Sequence, residues 1–130
     1  MSDLSINTSQ HQGKTTLTVL HLSGQLDGST EKQLIDLARQ IHQDGAQYIL
    51  LDLSELSILS SAGLRAIQNI FKLVTPASDL ELMQKHAEPY KSPYLKLVCP
   101  NPQIFYILNI TGFMQNIFIY NNMDEAANSF

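Results

Sequence analysis

The chain holds a single cysteine and no tryptophan. One thiol, Cys99, excludes an internal disulfide and fits a reducing cytoplasm. It ends an apolar run with no nearby His or second Cys, so it reads as a buried, inert thiol. Charge is also sparse: Asp, Glu, Lys and Arg make up 15% of the 130 residues, with a net charge of −4. The eight Lys and Arg are scattered singly, which leaves no basic footprint for nucleic acid. No apolar run approaches the ~20 residues that span a bilayer. The opening MSDLSINTSQ is polar with an early Asp, unlike a secretory signal. His11, His21, His42 and His86 do not pair with one another, with Cys or with carboxylates at metal-ligand spacing. No metal or cofactor is expected. Glycine is scarce, and neither a G-x-x-x-x-G-K-[ST] phosphate loop nor a G-x-S-x-G nucleophile elbow occurs.

What is present centres on Tyr48 to Val74. Tyr48-Ile49-Leu50-Leu51 is apolar without alternation, as in a strand buried on both faces. Leu64, Ile67, Ile70, Phe71 and Val74 recur at helical spacing. Between them Asp52 to Ala62 is polar and serine-rich, and reads as a loop. A helix start exposes unpaired backbone N–H groups and a partial positive charge. Ser60 and Ser61 sit at that point, which suits an anion or a hydroxyl that gains a phosphate. An ordinary N-cap is the equal alternative, and spacing alone leaves both open.

The rest of the chain supplies a mixed sheet with helices. Leu4 to Thr8 alternates like an edge strand. Gln10 to Lys14, with Gly13, reads as a hairpin turn, and Leu17 to Leu22 as the second strand. Gly24 to Gly28 is expected to break that strand. Thr30 and Gln33 resemble a capping box for a helix that buries Leu34, Leu37, Ala38 and Ile41. Asp27 reads as a capping residue that lies close enough to the serine loop to touch a partner. Asp44-Gly45 ends that helix, and Thr75-Pro76 ends the central one. Residues 77–93 form a surface excursion of about one short helix, with Leu80, Met83 and Ala87 as its stripe. Tyr94 to Cys99 is a strand. Asn101-Pro102 starts a helix with Ile104, Ile107 and Leu108 inward, and Gly112 ends it in a left-handed cap with Phe113 beyond. Ile117 to Tyr120 is a last strand, and Met123 to Ser129 a last helix. The order predicts one α/β domain over residues 1–130.

Three short motifs then add a resemblance. Asp52-Leu53-Ser54, followed by Ser60-Ser61-Ala62-Gly63-Leu64-Arg65, resembles the signature of STAS domains, the anti-sigma factor antagonist family. Gly24-Gln25-Leu26-Asp27 looks like that family's G-x-L-D turn, and Thr111-Gly112-Phe113 is similar to its T/S-G-L. The likeness runs through most of the chain in the same order. The excursion at 77–93 is longer than the family's usual connection.

The resemblance implies a small mixed sheet with helices mainly on one side and a cytoplasmic, non-enzymatic bacterial regulator. Such proteins bind an anti-sigma factor when unphosphorylated. The anti-sigma factor is often a serine kinase that ends the interaction by phosphorylation, and a phosphatase reverses it. The family's phosphoacceptor falls on Ser61. The motif Asp before it is replaced here by Ser60. The implied partner surface is Asp27, Asp52, Ser54 and Ser60 to Arg65. Two alternatives are a STAS binding module of a transporter or stress-signalling complex without phosphorylation, and a nucleotide- or lipid-binding domain with its groove beside the loop.

Overall fold

The computed structural model describes residues 3–12, 15–85 and 90–130, with backbone only at 113 and 114. Five strands form one sheet in sequence order: β1 (Leu4–Gln12), β2 (Thr16–Leu26), β3 (Ile49–Leu59), β4 (Leu95–Val98) and β5 (Phe118–Tyr120). β1 pairs antiparallel with β2, and every later pair is parallel. Crossovers carry α1 (Glu31–Gln43), α2 (Ser61–Val74) with α3 (Ala77–Lys85), and α4 (Pro102–Ile110); α5 (Met123–Asn128) follows β5.

Alternation along the strands divides the sheet into two faces. Leu20, Leu22, Leu51, Leu53 and Leu97 meet Leu34 and Ala38 of α1, Ile67, Ile70 and Phe71 of α2, and Ile104 and Leu108 of α4 in one buried core. On the other face Leu17, Val19, Leu50 and Val98 pack with Ala126 of α5. Lys96 is buried on that face, where it donates to the Ser129 carbonyl (2.9 Å) and Oγ (3.0 Å) and lies over the Phe130 ring. Helices therefore cover mainly one side, as expected, and α5 closes a corner of the other.

β3 departs from expectation. The serine-rich stretch read as a loop is strand as far as Leu59, and only Ser60 separates it from α2. The reason lies in the register. His21 faces Asp52, but Ser23 faces Glu55, and Gly24 faces Leu56 while Gln25 faces Ile58. Each shift inserts one extra residue in β3, a bulge. The two bulges bring Leu53, Leu56 and Leu59 onto the helix-covered face at a spacing of three, a pattern that matches neither strand nor helix periodicity.

β2 is likewise longer than expected, because Gly24 does not break it. Gly24 takes a φ of +108°, and a Cβ there would lie 2.0 Å from the Asp3 carbonyl oxygen. The strand continues to Leu26 alongside β3. Thr30 and Gln33 form no capping box. The Thr30 hydroxyl donates to the Gln25 carbonyl and accepts from the Asp27 N–H, and Gln33 Nε2 donates to the Leu4 carbonyl. Leu37 and Ile41 are half-buried rather than fully inward.

The remaining punctuation follows the sequence. Gly45 and Gly112 take positive φ after α1 and α4, and Asn101 caps α4 through Gln103 and Ile104 N–H. α3 buries none of its residues, so residues 77–85 stay on the surface. The Gly13 turn, His86, Ala87 and Pro89 lie outside the described residues, as does the Phe113 side chain.

The bulged register makes a direct prediction. Leu56 is buried and Ile58 is 44% exposed. Leu56→Ala should cost about 2–5 kcal/mol in urea unfolding, and Ile58→Ala should stay within about 0.5 kcal/mol of wild type. Similar costs at both would contradict the bulges.

Candidate functional site

The candidate site is built where the C-terminal ends of β2 and β3 meet the first turn of α2. The Ser60 N–H donates to the Leu26 carbonyl at 3.1 Å, tying the two strand ends together. Ser60 has extended φ and ψ, and its Oγ accepts the Gly63 N–H at 3.3 Å. That is a helix N-cap, which satisfies one of the unpaired N–H groups of the first turn. Ser61 is the first helical residue and is exposed. The two serines therefore have different environments: Ser60 is half-buried in the cap, and Ser61 faces solvent.

Gly63 is in closest contact with the sheet. A Cβ at this position would lie 2.6 Å from the Leu26 carbonyl oxygen and 2.8 Å from Leu59 Cδ1. Only a residue without a side chain lets the first turn of α2 come this near. Ala62, Gly63 and Leu64 are buried, so these motif residues shape the site without offering a surface.

Asp27 frames the site from the β2–α1 turn. Its Oδ1 accepts the Ser29 N–H at 2.9 Å and hydroxyl at 2.7 Å. Its carbonyl accepts the Thr30 and Glu31 N–H groups. The Ser29 hydrogen bonds hold the Asp27 pKa below the usual carboxylate value. The neighbouring Gly28 lies against Ala62, where a Cβ would be 3.9 Å away. Arg65, one turn into α2 and largely exposed, lies 3.7 Å from Glu31 at the start of α1. Asp27, Ser60, Ser61 and Arg65 thus share one end of the molecule.

Asp52 and Ser54 do not join them. With β3 extended, Asp52 stands roughly 20–25 Å of strand before Ser60. Its carboxylate points to the face away from α2, 2.8 Å from His21 Nδ1, and its Oδ1 accepts both the N–H (3.0 Å) and the hydroxyl (2.5 Å) of Ser54. Burial raises the Asp52 pKa, but the hydrogen bonds from Ser54 and His21 outweigh it and leave the group lowered. His21 had no partner on sequence spacing; cross-strand register supplies one, and no pattern within a single segment encodes it.

A groove of about 730 Å³ lies elsewhere again. Thr8, Gln10, Thr16, Thr18, Ile41 and Asp44 line it, at the opposite end of β2 from Leu26. It does not adjoin Ser60 or Ser61. Among the described residues no cluster of three or more His, Cys, Asp or Glu is placed to hold a metal ion, and no helix is long and apolar enough to cross a membrane.

The STAS domain model matches residues 5–83, from β1 through α3. The chain belongs to the STAS domain family. Its fold is similar over most of its length to solved anti-sigma factor antagonists. One from Mycobacterium paratuberculosis superposes with a TM-score of 0.72 at 20% identity, covering 96% of this chain and 93% of that one. Unphosphorylated SpoIIAA gives 0.59 at 15% identity, with 94% of each chain covered. The Bacillus cell fate determinant SpoIIAA in its phosphorylated form gives 0.58 at 15% identity, with 94% and 97% covered. No curated protein sequence is significantly similar to the chain.

The close approach at Gly63 is testable. Gly63→Ala should destabilise the domain by about 1–3 kcal/mol, because a methyl group forces α2 away from a backbone oxygen that cannot move far. Urea denaturation with unchanged midpoint would show that the first turn yields freely.

Proposed function

We propose that the chain is an anti-sigma factor antagonist of a bacterial partner-switching system, acting by binding rather than by turnover. The contact surface is the end carrying Asp27, Ser60, Ser61 and Arg65. An anti-sigma factor that is also a serine kinase would dock there, and phosphorylation of Ser61 would release it. A serine phosphatase would restore binding. The observation that carries this reading is the division of roles between the adjacent serines: Ser60 caps α2, while the Ser61 hydroxyl is open to solvent at the first helical position.

The mechanism is local electrostatics. A phosphoryl group adds roughly −1.5 to −2 charges. At the first turn of α2 it meets free N–H groups and the favourable end of the helix dipole. Arg65 follows one turn later, the spacing at which side chains on a helix meet. Its guanidinium would shift from Glu31 toward the phosphate. The domain itself therefore tolerates the charge, and the loss falls on the interface, where a desolvated anion finds no designed counter-charge.

Ser60 at the place of the motif Asp favours a second reading, a STAS binding module of a transporter or stress-signalling complex that is never phosphorylated. The groove lined by Thr8, Thr16 and Thr18 lies away from the loop and offers no place for a nucleotide or lipid beside Ser61.

Two measurements test the proposal. Incubation with the cognate kinase and ATP, followed by peptide mapping, should place phosphate on Ser61; phosphate only on Ser60 or Ser54 would contradict the assignment. Calorimetry should then find Ser61→Ala binding the anti-sigma factor like wild type, and Ser61→Asp about 100-fold weaker. The isolated Ser61→Asp domain should meanwhile be as stable as wild type or more so, by up to about 1 kcal/mol. Equal affinity for all three proteins would favour the module without phosphorylation.

A further inference from the structure

Three side chains on the sheet face away from α1, α2 and α4 form one hydrogen-bonded row. Ser9 Oγ lies 2.9 Å from His21 Nε2, and His21 Nδ1 lies 2.8 Å from Asp52 Oδ2. The three residues stand on β1, β2 and β3, which are adjacent strands. An ionised carboxylate only accepts hydrogen bonds, so Asp52 receives the Nδ1–H, and in the neutral imidazole Nε2 is then the acceptor that faces the serine hydroxyl. The other Asp52 oxygen is held by Ser54, which fixes the carboxylate and through it the imidazole. Nucleophile, base and orienting acid thus occur in the order that activates a hydroxyl. Ser9 is exposed on the edge strand, open to a solute.

We propose that Ser9 is a nucleophile, activated by His21, that accepts an acyl group from activated esters. Ser9 Oγ attacks the ester carbonyl carbon as its proton passes to His21 Nε2. The new carbon–oxygen bond forms, the bond to the leaving alkoxide or phenolate breaks, and the imidazolium returns the proton to that leaving group. No electrons are gained or lost overall. His21 is the general base, and Asp52 is a positioning residue. The site is separate from the Ser61 end and does not rest on the binding role.

The test uses the full chain and 4-nitrophenyl acetate, with intact mass and peptide mapping at short times. One acetyl group should appear on Ser9, and Ser9→Ala should lose it. His21→Gln should slow acetylation of Ser9 by about 100-fold, the scale of general-base assistance. Asp52→Asn should slow it as well, through the wrong imidazole tautomer. Circular dichroism confirms folding, and His21→Gln carries the test if Asp52→Asn proves unstable. Acetyl groups on lysines alone, or Ser9 labelled equally fast without His21, would overturn the proposal and leave the row a structural tether between strands.

Discussion

The contact between Gly63 and the Leu26 carbonyl constrains everything around it. The first turn of α2 has to rest on the ends of β2 and β3, and a Cβ at Gly63 would stand 2.6 Å from that oxygen. Once the helix sits this low, Ala62 and Leu64 are drawn into the core and Ser60 is left between strand and helix as the cap. Ser61 then has only solvent to face. The same closeness sets the Asp27-Gly28 turn beside Ala62 and brings Arg65 within reach of Glu31. A buried packing requirement thus creates an exposed chemical arrangement, and the motif is a packing device before it is a recognition surface.

Much of the architecture was legible from residue spacing. The periodic stripes of α1, α2 and α4, the Asn101-Pro102 start and the Gly45 and Gly112 ends are local signals, and local physics decides them. β3 beyond Leu51 was not legible, because two bulges turn a period of two into Leu53, Leu56 and Leu59. Thr30 and Gln33 carried a genuine capping pattern, but tertiary partners at Gln25 and Leu4 took their side chains. The helix start at Ser60 to Arg65 was legible, because it is continuous in sequence. Asp52 and Ser54 stand apart from that helix start, because a strand runs on where a loop would have folded back. His21 meets Asp52 only through strand register, which no single segment reveals.

The two faces of the sheet carry different physics. The helix-covered face is a continuous apolar core and fixes the position of α2. The other face carries a smaller apolar cluster of Leu17, Val19, Leu50 and Val98 under α5, which Lys96 fastens through Ser129 and two aromatic rings. Burial pushes the Lys96 pKa down. The Ser9, His21 and Asp52 row lies on this second face. It is separated from the Ser61 end by the sheet itself and by the length of β3 between Asp52 and Ser60.

In the proposed complex the partner covers the junction of β2, β3 and α2. Amide hydrogen exchange on the domain with and without the proposed anti-sigma factor maps the covered surface. Protection on binding should concentrate at Gln25 to Ser29 and Ser60 to Arg65. Protection confined to α4, around the exposed Tyr106 and Ile110, with none at Ser60 to Arg65, would contradict the claim.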